Sequence, residues 1–245
     1  MQNYRLTIEY DGTAYHGWQR QKDDPTIQGE IEKALEVMTR QRVAVNGSGR
    51  TDAGVHALAQ TANFKSDAGL STEAFQMGLN SLLKDDIVIK DCQEAEDMFH
   101  ARYDAKGKIY QYCFLNAKVP SAISRNRVWH IRKQLNFYAM QRAAVHLIGE
   151  HDFKAFEGTG SPRSSTVRKV TMAEISRESA ENITFTIEAN GFLRYMVRNI
   201  VGTLVEVGQS KMAPERFKAV LECGDRGQAG ATAPPQGLFL VKVLY

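Results

Sequence analysis

The chain has 245 residues, 43% of them hydrophobic and 24% charged, a balance that suits a soluble globular protein of one large domain or two small ones. No apolar run approaches the length that crosses a bilayer, the N-terminus carries no apolar signal core, and a net charge of +3 points by itself to no partner. Three cysteines, Cys92, Cys113 and Cys223, are far apart and form no Cys-x-x-Cys pair, which argues against a disulfide framework or a cysteine zinc site and for a reducing, cytoplasmic setting.

The chain reads as one plan used twice. Residues 4–10 alternate like a strand and stop at Asp11-Gly12. Ile27, Ile31, Ala34, Leu35 and Met38 fall at helical spacing, with Thr26 as a cap and Pro25 before it. Residues 43–49 and 58–65 read as strands, 72–83 as a helix and 86–93 as a strand. The second half offers a strand at 108–116, a helix at 135–148 and strands at 166–177 and 183–189. A strongly periodic helix at 193–207, an extra helix at 214–223 and a closing strand at 238–244 complete it. Two tandem split βαβ halves, ferredoxin- or RRM-like, give an α+β protein with a mostly antiparallel sheet and a catalytic cleft at its centre. The first half spans 1–104 and the second 105–245. The stretches 157–165 and 226–236 have breaker composition and are expected to be mobile.

The richest segment is Gly47-Ser-Gly-Arg-Thr-Asp-Ala-Gly-Val-His-Ala57, which sets Asp52 among three glycines beside Arg50 and Thr51. Glycines at this density let a backbone fold tightly and let a ligand approach, and a loop between two strands is a common place for chemistry. Asp-x-Gly is equally an ordinary turn in which the aspartate bonds its own backbone. A Walker loop would need Lys-Ser/Thr where Val55-His56 stands, and an acid at position 52 would repel a pyrophosphate. His146 and His151 are one residue too far apart for an inverted zinc-protease pattern, and no Gly-x-Ser-x-Gly elbow is present.

A carboxylate nucleophile is the remaining chemistry. Burial would raise the pKa of Asp52 unless a cation compensates. Arg194 and Arg198 stand one turn apart at the start of the periodic helix, and Arg198 borders its apolar stripe, where a half-buried guanidinium requires an acceptor. Asp52, a backbone carbonyl and Glu206 are all candidates. Between His100 and Lys133 lie eight Lys or Arg, one acid, and Tyr103, Tyr110, Tyr112, Phe114 and Trp129. That mixture fits a phosphate backbone with bases to stack on, and fits a solvated basic surface equally well.

With these residues the chain resembles the tRNA pseudouridine synthase A family almost end to end. The resemblance is carried by Tyr10-Asp-Gly-Thr13, Gly17-Trp-Gln19, the 47–57 string, Phe99-His-Ala-Arg102 and Lys108-Ile-Tyr-Gln-Tyr112. His151-Asp-Phe153, Met196-Val-Arg-Asn-Ile-Val-Gly202 and Gly237-Leu238 extend it. It implies isomerisation of uridine to pseudouridine in the anticodon arm of tRNA, at positions 38 to 40, by a cytoplasmic homodimer that uses no cofactor and no metal and touches no membrane. It also implies that Asp52 is the catalytic aspartate and Arg198 its partner. Tyr110 would stack on the target base, Arg50 would take part in flipping it, and Leu238 would line the pocket. Two further classes stay open at this stage: a silent RNA-binding protein, and a metal-dependent phosphate-ester hydrolase.

Overall fold

Side chains along Gln2–Tyr10 alternate between core and surface, with Tyr4, Leu6, Ile8 and Tyr10 buried, and this makes the first strand, β1. The computed structural model describes residues 1–158, 160 and 164–245. In chain order the elements after β1 are α1 (Ile27–Thr39), β2 (Asn46–Gly47), β3 (His56–Ser66), α2 (Thr72–Leu82) and β4 (Ile87–Ala95). There follow β5 (Gly107–Leu115), β6 (Trp129–His130), α3 (Phe137–Val145), β7 (Gly149–Asp152), β8 (Val167–Arg177) and β9 (Asn182–Ala189). The last elements are α4 (Met196–Gly208), α5 (Pro214–Cys223) and β10 (Leu238–Leu244). Two compact units emerge, Met1–Lys106 with Phe239–Tyr245, and Gly107–Leu238.

The first unit is a sheet in the order β4-β1-β3-β10 with α1 and α2. β1 pairs antiparallel with both β3 and β4, whereas β10 runs parallel to β3, placing Phe239 opposite His56. Caps fix the helix starts: the Thr26 hydroxyl accepts from Gly29 N–H, and the Ser71 hydroxyl from Ala74 N–H. Leu6, Ile8, Phe64, Phe75 and Leu79 are fully buried, and Tyr4 packs on both Phe64 and Phe75. Each such side chain contributes about 1.5–3 kcal/mol of burial energy.

The second unit is an antiparallel sheet in the order β5-β9-β8-β7, with β6 laid parallel on β5. Helices α3, α4 and α5 pack on one another. All but two of the thirteen residues of α4 are buried, as its apolar period requires. The α+β class expected from the sequence is the class observed.

Several local expectations need correction. The strand expected at 43–49 shrinks to Asn46–Gly47, because the chain turns away after Ser48 to build the Asp52 loop. The helix expected from residue 193 begins at Met196, since Tyr195 sits in the left-handed region at φ 60°. Arg194 therefore precedes the helix rather than lying one turn below Arg198. The helix expected at 135–148 covers only 137–145, and β6 and β7 left too short a pattern to be read. Tyr112 and Phe114 on β5 keep their rings in the core and are not an exposed stacking platform, Tyr110 on the same strand retains 7% exposure, and Tyr103, at 76%, and the half-buried Trp129 are the more accessible rings of that run. The 226–236 stretch is not loose, as described below. Of the 157–165 stretch, residues 159 and 161–163 lie outside the described residues.

Candidate active site

In the first unit the Asp52 loop is held by its backbone. Ser48 N–H donates to the Thr61 carbonyl at 2.8 Å, and its hydroxyl donates to Gln60 Oε1 at 2.6 Å. Gln60 in turn donates to the Gly49 carbonyl at 3.0 Å. The Thr51 hydroxyl and the Tyr10 phenol share a buried hydrogen bond of 2.8 Å. Burial pushes the Tyr10 phenol well above its ordinary pKa, so it remains a neutral hydroxyl. The Thr51 carbonyl accepts from Trp18 N–H, Gly54 N–H donates to the Tyr15 carbonyl, and Val55 N–H closes the turn onto the Asp52 carbonyl.

The segment after β1 braces this loop. Gly17 has φ +87°, and a Cβ there would stand 2.4 Å from the Thr51 oxygen and 3.0 Å from the Asp52 carbonyl carbon. Only glycine allows both the left-handed backbone and that close approach. His56, just past the loop, accepts Gly12 N–H at Nδ1 (3.1 Å) and stacks on Phe239 with ring centres 4.7 Å apart. Asp52 itself is half-buried, and Arg50 is exposed with its Nε donating to Gln19 Oε1 at 3.1 Å. Asp52 is thus neither sealed in a core nor loose on the surface.

The second unit holds the other three residues implied by the resemblance. Tyr110 on β5 is 7% exposed and meets Phe192 edge-on, with ring centres 5.0 Å apart. Arg198 on α4 donates from Nε to the Ala233 carbonyl at 2.8 Å, while Ala233 N–H donates back to the Arg198 carbonyl at 3.0 Å. Its guanidinium lies 5.0 Å from the centre of the Tyr195 ring. Leu238, 5% exposed, begins β10. Four residues earlier, the Pro234 carbonyl accepts from the Tyr112 phenol at 2.7 Å. Burial pushes that phenol up, and the nearby Arg198 charge pulls the other way.

The 226–236 stretch is a strap pinned to α4. Arg226 donates to the Ala229 and Gly230 carbonyls, to Asn199 Oδ1 and to the Thr232 hydroxyl. Thr232 donates to Asn199 Oδ1 at 2.6 Å, and Gly230 N–H to the Thr203 hydroxyl at 2.9 Å. A Cβ on Gly202 would lie 1.7 Å from the Ala231 oxygen, so strap and helix touch backbone to backbone.

The model of a family described as tRNA pseudouridine synthase matches residues 6–104 and 143–245. The chain belongs to the tRNA pseudouridine synthase family. It is accordingly an enzyme, an RNA-modifying isomerase. Proteins named tRNA pseudouridine synthase A from Acetivibrio thermocellus and from a Thermoanaerobacter species are each 48% identical to it, over 100% of both chains. The protein of that name from Ruminiclostridium cellulolyticum is 47% identical over the same full span.

Within this tRNA pseudouridine synthase chain, Asp52 and Arg50 share one braced loop, while Arg198 and Leu238 are both tied to the 233–238 segment. The supporting residues Tyr10, Gly17, His56, Asn199 and Arg226 were given no role from the sequence. Tyr10 and Gly17 lay in the Tyr10–Thr13 and Gly17–Gln19 strings, His56 in the 47–57 string and Asn199 in the Met196–Gly202 string, whereas Arg226 lay in none. Among the described residues no cluster of His, Cys, Asp and Glu could hold a metal ion. His146 caps the end of α3, and His151 Nε2 lies 3.0 Å from the Ile148 carbonyl. Among the described residues no helix is long and apolar enough to cross a membrane.

Proposed function

We propose that Asp52 is the nucleophile in the conversion of uridine to pseudouridine in the anticodon arm of tRNA, at positions 38 to 40, on a base flipped out of its helix. What supports this above all is the way Asp52 is presented: a half-buried carboxylate on a loop braced at Thr51, Gly54 and Val55, in a chain of this family. The bond from ribose C1′ to N1 breaks, the base turns, and C1′ bonds to C5. The C5 proton leaves and N1 takes up a proton, so the change is an internal rearrangement that calls for no oxidant, reductant or group carrier. Asp52 adds to C1′ or to C6, or assists elimination at the sugar.

A free aspartate, with a pKa of about 3.9, is ionised near neutrality. In this reading Arg198 keeps Asp52 so as it leaves water. Flipping the base costs a few kcal/mol, and stacking on Tyr110 returns roughly 1–3 kcal/mol. Arg50 fills the vacated place or holds a phosphate, and Leu238 gives an apolar wall along which the detached base can turn. The enzyme acts as a cytoplasmic homodimer without a cofactor. The test is uridine conversion in an unmodified tRNA transcript. Wild type converts it, while Asp52→Asn binds the transcript and converts none. Conversion by Asp52→Asn at the wild-type rate would overturn the proposal.

A further inference from the structure

The second unit carries a cavity of about 270 Å³ whose lining includes Pro120, Arg125, Trp129, His130 and Pro234. None of these belongs to the set implied by the resemblance. Trp129 is half-buried, with Tyr112 and Phe114 both 6.3 Å away, centre to centre. These two rings hold its indole in place within the lining. Arg125 is exposed and is steadied by a bond from Nη1 to the Ala122 carbonyl at 2.6 Å. His130 Nε2 lies 2.8 Å from the Ala117 carbonyl, an acceptor only, so Nε2 carries a ring proton and donates it there. An aromatic side chain and a cation thus border one small space, with the His130 ring held beside them.

Charge selects the occupant. Residues 118–133 contain Lys118, Arg125, Arg127, Arg132 and Lys133, all exposed, and no acid. A surface of that kind favours a polyanion over an acid-poor protein segment. The volume is close to the lower end of small-molecule sites, about 300–1,000 Å³, and has room for one nucleotide. The cavity is also tied to Arg198. The strap that receives the Arg198 Nε at Ala233 lends its next residue, Pro234, to the lining, and Tyr112 holds Pro234 by its carbonyl.

We propose that this cavity is a second nucleotide subsite, which takes one unpaired nucleotide of the substrate RNA with its base on Trp129 and its phosphate on Arg125. The inference rests on tRNA being the substrate. Its role is to hold the RNA in register while another nucleotide reacts, so its loss weakens binding more than chemistry.

The experiment uses the full chain with an unmodified tRNA transcript, and reads KM, kcat and the salt dependence of binding. Trp129→Leu raises KM about fivefold or more, with the smaller part of the effect in kcat, and Trp129→Phe restores most of the loss because a ring face remains. Arg125→Ala lowers the slope of log Kd against log salt by about one, the mark of a lost phosphate contact. The chain has two tryptophans and Trp18 is 2% exposed, so RNA-dependent quenching reports Trp129 and disappears in Trp129→Phe. An unchanged KM in Trp129→Leu, or an unchanged salt slope in Arg125→Ala, overturns the subsite. Quenching that follows protein concentration without RNA also overturns it, and marks a contact between copies. If the wild type converts no uridine, the Asp52 reading falls, while the salt slope and the quenching still decide the subsite.

Discussion

The Asp52 loop and the 226–236 strap have similar compositions and opposite duties. Both are rich in small residues and poor in regular structure. The loop offers a carboxylate and an exposed arginine, and is gripped from behind by the segment Tyr10–Trp18. The strap is itself the grip: it lies on α4, donates from Gly230 N–H to the Thr203 hydroxyl and from Arg226 to Asn199 Oδ1, and steadies Arg198 through Ala233. The lesson is that small residues here permit contact rather than motion. At Gly17 and at Gly202 the missing Cβ is what lets two backbones meet.

Adding the missing atom at either glycine forces the two backbones apart. Gly202→Ala would put a methyl 1.7 Å from the Ala231 oxygen and must lift the strap. Overpacking of this kind costs about 3 kcal/mol, a fall in Tm of roughly 6–12 °C for a chain of this size. Thermal unfolding checks it, and turnover is expected to fall along with stability. Gly17→Ala should separate the two properties. The loop is displaced at Asp52, so kcat drops about 100-fold, as for a 1 Å error in a reacting group. Because residues 52–54 are partly exposed and can give way at the 2.4 Å approach to the Thr51 oxygen, the stability loss stays near the roughly 1–2 kcal/mol of a left-handed alanine. Equal losses of stability in the two variants, with turnover intact in Gly17→Ala, would show that the loop needs no brace.

The smallest effect on turnover is expected from Tyr10→Phe, which leaves the Thr51 hydroxyl without its buried partner at a cost of about 1–3 kcal/mol of stability. In steady-state kinetics the loss should appear in kcat, with KM for the RNA nearly unchanged. A loss confined to KM would mean that Tyr10 supports binding and not the placement of Asp52.

The sequence was most legible where one period governs a whole element. Strands β8 and β9 and helix α5 lie within a residue of their expected bounds, because alternation in the strands, and Pro214 with Phe217, Val220 and Leu221 in the helix, is a local signal. The chemistry-bearing string 47–57 was legible from residue type alone. The strap was misread because its partner is far along the chain: nothing in 226–236 announces that Gly202 leaves room for Ala231. The start of α4 was misread because its apolar period extends back to Leu193, whereas Tyr195 takes a backbone angle that no period encodes. Tyr112 and Phe114 were misread for the opposite reason. Their alternation is a core signal, and the neighbouring cations drew attention away from it.

The path of the final strand sets the order in which the protein can be finished. Phe239 stacks on His56, the Leu244 carbonyl accepts from Lys106 N–H, and Tyr245 packs on Phe99 and donates to the Ala101 carbonyl. All of these anchor the first unit, yet the ribosome makes residues 239–245 only after the whole of residues 107–238. The half that carries Asp52 is therefore begun first and completed last, and a nascent chain presents an incomplete catalytic unit until its final strand has emerged.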